Sequence, residues 1–333
     1  MRLFVVTHKI TKVKNSGIYT PIFVGKAKNP NLTLPKGYLM DNKKDNISYK
    51  NNSYCELTAI YWIWKNITED IVGICHYRRY FARRKYINTL GSCITEKEIR
   101  KILKQYDVIL PQKNLGEYNE LVSRDFWNKY HYEKDWEITE KVLLEKYPEY
   151  KTTLEKFNNQ TTGYCYNMCI MRKRMFDEYC EWLFNILFEV ENRTDISNYD
   201  SYNKRLYGFL SERLINIWVM QQNLKVKEYP VQMTGISILT RVKNKFFRKN
   251  WVNHENQISK IQFYNEFHIN SIKFYFSIDY ISVCFESFRR FWNWKGFVCN
   301  LCGKLFYYGG CIRSTNIWNS CGSQSKRRSG KTE

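Results

Sequence analysis

Acidic side chains are in short supply in this 333-residue chain. It has 32 Asp and Glu against 53 Lys and Arg, so its formal net charge at pH 7 is +21. Such an excess favours an anionic partner: nucleic acid, anionic lipid or a phosphate-bearing small molecule. The excess is uneven, because residues 241–333 hold 16 Lys and Arg against 5 Asp and Glu.

Long apolar runs and export signals are also missing. No stretch of about 18 uncharged apolar residues is present, which predicts that no helix spans a membrane. Arg2 leads directly into a short β-branched run, so no secretion signal is visible. Eleven cysteines in a chain without export predict reduced thiols and no disulfide framework.

A zinc ribbon lacks half of its usual pattern. Cys299 and Cys302 form a Cys-x-x-Cys, and Cys311 and Cys321 follow. The later pair does not repeat the close spacing that makes a zinc ribbon convincing. Zinc binding by these four cysteines is therefore not favoured.

The sequence does contain the pattern of an α/β domain. Hydrophobic residues make up 44% of it, enough for a core. Short β-branched runs alternate with stretches that have apolar residues at helical spacing, and this predicts a largely parallel sheet. The predicted strands cover residues 3–9, 21–25, 71–76, 107–111 and 164–172, and the predicted helices include residues 54–65, 176–190 and 203–222 together with one after Thr95 and one before Pro148.

Two helix starts carry the pattern of a capping box. Ser53 with Glu56, and Thr95 with Glu98, have a hydroxyl three residues before a carboxylate. In that arrangement each side chain satisfies a free backbone N–H group of the first turn. The pattern predicts that helices begin at these two places.

The run IVGICHYRR places polar groups directly after a buried strand. Ligands of parallel sheets sit at the carboxyl ends of the strands, and the arginine fork matches phosphate oxygens. On an extended backbone His76 and Arg78 would face one way, and Tyr77 and Arg79 the other. Two interpretations remain open: a cradle for a diphosphate, or a solvated strand end with arginines paired to carboxylates.

Six stretches of the chain are long or unusual enough to resemble a known family. They are VVTHK, DNISYKNNSYCELTAIYWIWKN, VGICHYRRYF, YDVILP, NMCIM and GFLSERLINIW. In this order they are similar to the bacterial family called domain of unknown function 4422, whose members are typically encoded in capsule, exopolysaccharide and O-antigen gene clusters and are regarded as glycosyltransferases.

The resemblance implies a fold and two domains. The fold is α/β: a GT-A-like, Rossmann-type nucleotide-sugar fold with a mostly parallel central sheet. Residues 1–235 would form this glycosyltransferase domain. Residues 236–333, where the resemblance ends, would form a basic, aromatic-rich C-terminal extension.

The resemblance also implies a reaction. A hexosyltransferase would move a sugar from a nucleotide diphosphate donor to a hydroxyl of a lipid-linked oligosaccharide, in the synthesis of a cell-surface polysaccharide. The donor would be a UDP-sugar, with galactose or galactofuranose suggested by the family. The nucleotide and its phosphates would lie at the ends of the first and central strands, on Thr7, His8, Lys9, His76, Tyr77, Arg78 and Arg79.

Many GT-A enzymes bind a divalent metal through an Asp-x-Asp motif, and this chain has none. Two alternatives follow. The arginines replace the metal, or Asp41, Asp45 and His76 bind Mn²⁺ or Mg²⁺. We expect no firm cofactor and favour the first alternative slightly. Asp45 and Asn46 fit two interpretations equally, a contact to the donor or an ordinary turn.

Transfer also needs a group that takes the acceptor proton. His131 and Asp135 would lie one turn apart if their segment were helical, as a base and its orienting partner. The alternative, a pair at a helix start that is exposed to water, is somewhat more favoured. Glu212 lies among apolar neighbours of a predicted helix. Pairing with an arginine is the more common role of such a carboxylate, but Glu212 belongs to the stretches that carry the resemblance and is a candidate base.

Residues 240–294 mix basic and aromatic side chains, as in RVKNKFFRKNW and SFRRFWNWKGF. Such segments bind anionic membrane surfaces. We therefore expect a cytoplasmic protein that lies peripherally on the inner face of the cytoplasmic membrane. The alternative is a non-enzymatic protein that binds single-stranded nucleic acid through this tail. No nucleic-acid motif supports it, so we expect no nucleic-acid partner.

Overall fold

The computed structural model describes residues 1–83, 90–113 and 120–234, and the backbone of two further strands, Asn265–Ile269 and Ile272–Phe276. Contacts divide the chain into two units, Met1–Lys245 and Phe246–Glu333. The boundary that we place after residue 235 remains a prediction. The four cysteines of the weak zinc pattern, Cys299, Cys302, Cys311 and Cys321, and most of the basic tail lie outside the described residues.

Nine strands of the first unit's described residues form one sheet. The order across it is β3-β2-β1-β4-β7-β6-β8, and β5 pairs with β4 and β9 at one end. The bounds are β1 Arg2–Thr7, β2 Tyr19–Phe23, β3 Leu39–Met40, β4 Ile71–His76, β5 Arg79–Phe81, β6 Val108–Pro111, β7 Ile170–Arg172, β8 Val226–Tyr229 and β9 Val231–Met233.

Eight α-helices connect these strands within the described residues. Their bounds are α1 Asn51–Tyr54, α2 Leu57–Asn66, α3 Glu96–Ile102, α4 Ser123–Tyr130, α5 Glu133–Lys146, α6 Lys151–Asn159, α7 Lys173–Arg193 and α8 Leu206–Gln221. In the second unit, β10 (Asn265–Ile269) and β11 (Ile272–Phe276) pair antiparallel.

The sheet separates two apolar cores, as the alternation of side chains along its strands requires. On β1, Phe4 and Val6 contribute to the core that contains α2, α7 and α8. Leu3 and Val5 face the smaller core, which contains Ile99 of α3. Strands buried on both faces explain why they appear in the sequence as continuous apolar runs.

The prediction of an α/β fold with a mostly parallel central sheet is confirmed. β1 runs parallel to β2 and β4, and β6 runs parallel to β8. Two strands break this pattern: β7 pairs antiparallel with β4 and β6, and β5 pairs antiparallel with β4 and β9. The predicted strand over residues 164–172 was too long, since only its last three residues pair in the sheet.

One predicted capping box forms and the other does not. Thr95 and Glu98 cap α3 reciprocally. At the second place the chain bends sharply at Cys55, with φ 50° and ψ −125°, and splits the predicted helix into α1 and α2. Ser53 therefore lies inside α1, where its hydroxyl donates to the carbonyl of Lys50.

Among the described residues, no helix combines the length and the apolar composition needed to cross a membrane. Six cysteines lie in this part of the chain, and all six are free thiols: Cys55, Cys75, Cys93, Cys165, Cys169 and Cys180.

Candidate functional site

A cleft of about 830 Å³ opens where β1 and β4 end. Thr7 ends β1, and His76 ends β4, and both line this cleft. The cleft therefore lies at the carboxyl edge of the parallel strands, where ligands of such sheets bind. Of the predicted site residues, seven line it: Thr7, His8, His76, Tyr77, Arg78, Arg79 and Glu212.

The strand end at His76 is a tight turn and does not continue as the extended segment that the sequence suggested. The chain reverses through Tyr77 and Arg78, and His76 pairs with Arg79 across the turn. His76 and Arg79 are therefore directly opposite each other on the paired strands β4 and β5, and their side chains lie on the same face of the sheet. The expected grouping of His76 with Arg78 was wrong because β5 folds back on β4.

Two cations and a histidine ring surround the Tyr77 ring, which lines the cleft. The His8 ring meets it edge-on at 5.3 Å, the Lys9 ammonium lies 5.3 Å from its centroid, and the Arg78 guanidinium lies 5.2 Å away. Burial lowers the pKa of His8, and the charges of Lys9, Arg78 and Arg205 lower it further. Clustered positive charge of this kind attracts an anion.

Thr7 shapes the exit from β1. Its hydroxyl donates to the carbonyl of Lys9 at 2.6 Å and accepts from the backbone N–H of the same residue at 3.2 Å. This compact turn directs the chain past the cleft, so that His8 lines it while Lys9 lies over the Tyr77 ring.

The turn at the end of β4 brings two buried nitrogen atoms to the cleft. Nε2 of His76 and Nε of Arg79 have no hydrogen-bond partner within the described residues. Burial lowers the pKa of His76, so the neutral imidazole is favoured. The Arg79 guanidinium lies 4.5 Å from the centroid of the Tyr166 ring. Buried polar groups without hydrogen-bond partners destabilise the folded state, and a ligand with acceptor oxygens would satisfy them.

Two carboxylates line the same cleft. Burial raises the pKa of Glu212 to about 7, and the nearby charge of Glu56 raises it as well, against the opposing effects of Arg79 and Arg205. Glu212 projects from α8, which is apolar nearly all round and is buried between the other helices. A carboxyl that titrates near neutrality is suited to exchange a proton with a substrate.

Glu56 was missed as a site residue because its spacing from Ser53 matched a helix cap. The bend at Cys55 instead turns Glu56 into the cleft, where Oε1 accepts from Nδ2 of Asn167 at 2.8 Å. Arg205 also lines the cleft and donates from Nε to the Cys55 sulfur at 3.2 Å.

Asp45 and Asn46 do not line the cleft. Asp45 accepts a hydrogen bond from the Tyr61 hydroxyl at 3.2 Å. The Asn46 side chain accepts from the backbone of Ser48 and donates to the carbonyl of Lys44. These contacts are those of an ordinary turn, the second of the two interpretations open for this pair.

Asp41 is fully buried and is saturated by donors from its own surroundings. Its carboxylate accepts from the backbone N–H groups of Gly25 and Lys26 and from the hydroxyls of Ser48 and Thr58, at 2.5–3.1 Å. The described residues include no group of three His, Cys, Asp or Glu side chains that could hold a metal ion, so Asp41, Asp45 and His76 do not come together as a ligand set.

His131 and Asp135 are not one turn apart on a helix, because one helix ends between them and another begins. His131 follows α4 in an extended conformation, and Asp135 lies in the first turn of α5. Neither lines the cleft. Nδ1 of His131 is 3.0 Å from Oδ1 of Asn203, and Asp135 accepts from the Tyr199 hydroxyl at 2.9 Å.

Comparison with known proteins places the chain in a family. The family model described as a domain of unknown function, DUF4422, matches residues 2–223, and the chain belongs to this family. An apo structure of the bifunctional glycosyltransferase WbbM is similar to it, with 33% sequence identity and a TM-score of 0.63. The similarity covers 71% of this chain and 45% of that chain, so the present chain corresponds to less than half of WbbM. A search of curated proteins found no match.

Proposed function

We propose that this protein is a glycosyltransferase that uses a nucleotide diphosphate sugar. The observation that carries the proposal is that one cleft at the carboxyl edge of the sheet is lined both by arginines and by Glu212, a carboxyl whose pKa is raised to about 7. Similarity to WbbM, a bifunctional glycosyltransferase, supports the same reaction class.

The cations have the chemistry to hold the donor. Arg78 and Lys9 would contact the diphosphate as cations, the neutral His8 ring would add a hydrogen bond, and Arg79 would offer its buried Nε to a further oxygen of the nucleotide sugar. Arginine forks bind phosphate oxygens in pairs. As the bond to the anomeric carbon breaks, its electron pair leaves on the diphosphate, and these cations would stabilise the added charge.

Glu212 would act on the acceptor. The acceptor hydroxyl would give its proton to the Glu212 carboxylate while its oxygen forms the new bond to the anomeric carbon. A base with a pKa near the working pH is partly ionised and still basic enough to take the proton. The pKa of about 7 at Glu212 meets this requirement.

The donor and acceptor remain finer proposals. We propose a UDP-sugar, with galactose or galactofuranose as the first sugars to test, and a lipid-linked oligosaccharide acceptor in cell-surface polysaccharide synthesis, through a GT-A-like arrangement of donor and sheet. We also propose that the arginines take the place of a divalent metal. Full transfer in EDTA would support this role, and activity that needs added Mn²⁺ would contradict it.

The membrane location is a proposal for the basic tail. The net charge of residues 241–333 motivates it, since each Lys or Arg near an anionic surface contributes about 1 kcal/mol. Vesicles with and without anionic lipid should sediment the full chain differently, and the difference should shrink as salt screens the charges. Equal sedimentation with both vesicle types would contradict the proposal.

Isothermal titration with UDP, UDP-sugars and single-stranded RNA tests the main proposal. We expect UDP and one UDP-sugar to bind, and Arg78→Ala to weaken both. The exposed Arg174, which pairs with Glu178 on α7, supplies the control variant Arg174→Ala. Binding of RNA without any binding of nucleotide sugar would reverse the conclusion in favour of a nucleic-acid-binding protein.

A further inference from the structure

Two consecutive residues beside the cleft adopt the left-handed backbone conformation. Tyr166 has φ 80° and Asn167 has φ 47°, and neither is a glycine. Such conformations are strained for residues other than glycine and persist only where the surroundings enforce them. They recur at functional sites, so the contacts of this turn indicate what it holds in place.

The Asn167 side chain connects the start of α2 to the first two turns of α8. Its Nδ2 donates to Oε1 of Glu56 at 2.8 Å and to the carbonyl of Gly208 at 3.0 Å. Its Oδ1 accepts from the Ser211 hydroxyl at 2.7 Å. Asn167 is 4% exposed and Ser211 is fully buried, so the bonds of Asn167 to Gly208 and Ser211 are shielded from water, and the bond to Glu56 is partly buried at the cleft.

The same turn touches Glu212, the residue next to Ser211. A backbone hydrogen bond from Tyr166 reaches the Glu212 carboxylate. The turn therefore holds both cleft carboxylates, Glu212 through its backbone and Glu56 through the Asn167 side chain. Two like charges are brought into one cleft by a strained turn.

We propose that Asn167 is a positioning residue that fixes Glu56 beside Glu212, so that the two carboxylates act as one unit on the acceptor hydroxyl. The inference rests on the proposed function and adds a role for Glu56 to it. In this unit Glu212 receives the acceptor proton. Glu56 makes that transfer more favourable, because its negative charge is relieved when the neighbouring carboxylate becomes neutral.

The other groups that face the pair do not duplicate the role of Glu56. Arg79 and Arg205 act on Glu212 with the opposite sign. His76 is neutral at pH 7, since burial lowers its pKa. The Cys55 thiol has a pKa of about 11 and the pKa of Tyr202 is raised, so both are also neutral. Glu56 is therefore the like charge that influences Glu212.

The test compares the pH dependence of kcat in three forms of the full chain. In Glu56→Gln the acidic limb, which reports the ionisation of Glu212, should move to lower pH. Asn167→Gly keeps a residue that accepts a positive φ and removes only the amide. It should lower kcat about 10- to 100-fold, the range of a misplaced catalytic group, and move the limb in the same direction.

The chain offers a matched control. Among the described residues, Asn223 is the other asparagine with a positive φ, 49°, and it follows α8 on the exposed surface outside the cleft. Asn223→Gly should leave kcat and the pH profile unchanged. An unchanged acidic limb in Asn167→Gly and Glu56→Gln would overturn the inference even if both variants transfer sugar more slowly.

A second measurement separates this inference from the proposed function. Side-chain carboxyl carbons of labelled glutamate can be titrated by NMR, with the Glu212 signal assigned by its loss in Glu212→Gln. A lower pKa of Glu212 in Glu56→Gln and Asn167→Gly supports the positioning role even if no sugar is transferred. An unchanged pKa overturns that role even if the wild type proves to be a glycosyltransferase. If Asn167→Gly fails to fold, Ser211→Ala replaces it, because it removes the hydroxyl that donates to Oδ1 of Asn167 and so loosens the side chain that holds Glu56. The same lowering of the Glu212 pKa is then expected, and an unchanged pKa overturns the positioning role.

Discussion

Asp41 and Glu212 are carboxylates of the same domain in opposite surroundings. Asp41 accepts four hydrogen bonds and faces no second carboxylate among its partners. Glu212 lies in an open cleft with the charge of Glu56 nearby, and its pKa rises to about 7. A saturated carboxylate holds the chain together, whereas one with a like-charged neighbour is poised to change its protonation. The predictions below test this difference.

The largest effect is expected on stability at Asp41. Asp41→Ala leaves three buried donors without an acceptor, the backbone N–H groups of Gly25 and Lys26 and the Ser48 hydroxyl. Each costs about 1–3 kcal/mol, so the free energy of unfolding should fall by about 4 kcal/mol or more. Urea denaturation measures it. The control is Asp45→Ala, an exposed turn residue whose loss should change stability by less than about 0.5 kcal/mol. Similar losses in both variants would contradict the structural role of Asp41.

The next largest effect is expected on transfer at Glu212. Glu212→Gln keeps the shape of the side chain and cannot take a proton, so kcat should fall about 10²- to 10⁴-fold. Binding of UDP, measured by titration calorimetry, should change little. A variant that keeps most of its kcat would remove Glu212 from the chemistry and make it the structural counterpart of Asp41.

The sequence predicted the strands and the helix that carry this site better than the side-chain contacts within it. β1, β4 and the helix of Glu212 follow from apolar periodicity, which is a local property. The cations at the strand ends follow from the same reasoning. The roles of Glu56 and Asn167 do not, because they depend on the positive φ of Cys55 and Asn167, which tertiary contacts impose.

Tertiary structure also explains why one predicted residue pair forms and another does not. Thr95 and Glu98 make a cap as predicted because both partners lie on one continuous helix start. The pair His131 and Asp135 fails because a helix boundary falls between them, and no periodicity in that short segment marks it. Short-range patterns predict contacts only where the backbone between the partners is regular.

A moderate effect is expected on the cationic side of the cleft. Arg78→Ala removes a fork of donors from the proposed diphosphate site and should cost about 2–4 kcal/mol in kcat/KM, with weaker UDP binding. Arg78→Lys should restore only part of this, because an ammonium group cannot bind two oxygens as a fork. If Arg78→Ala binds UDP and transfers sugar normally, the cations around Tyr77 serve another purpose.

The smallest effect concerns the dependence of stability on pH. Glu212 has a folded-state pKa of about 7 against an ordinary value of 4.5, so the folded protein holds the extra proton between these values. Stability should therefore fall as pH rises from about 4.5 to 7. In this range Glu212 is already ionised in the unfolded chain, while folding still requires it to bind a proton. Glu212→Gln has no such titration. As pH rises from 5 to 8, its free energy of unfolding should therefore increase by about 1–3 kcal/mol relative to that of the wild type. Thermal unfolding at both pH values measures the change.

Glu137→Gln, on the exposed face of α5, is the control and should follow the wild type. If Glu212→Gln also follows it, the Glu212 carboxylate is stabilised in the cleft as fully as Asp41 is in its loop, and the difference between the two sites disappears.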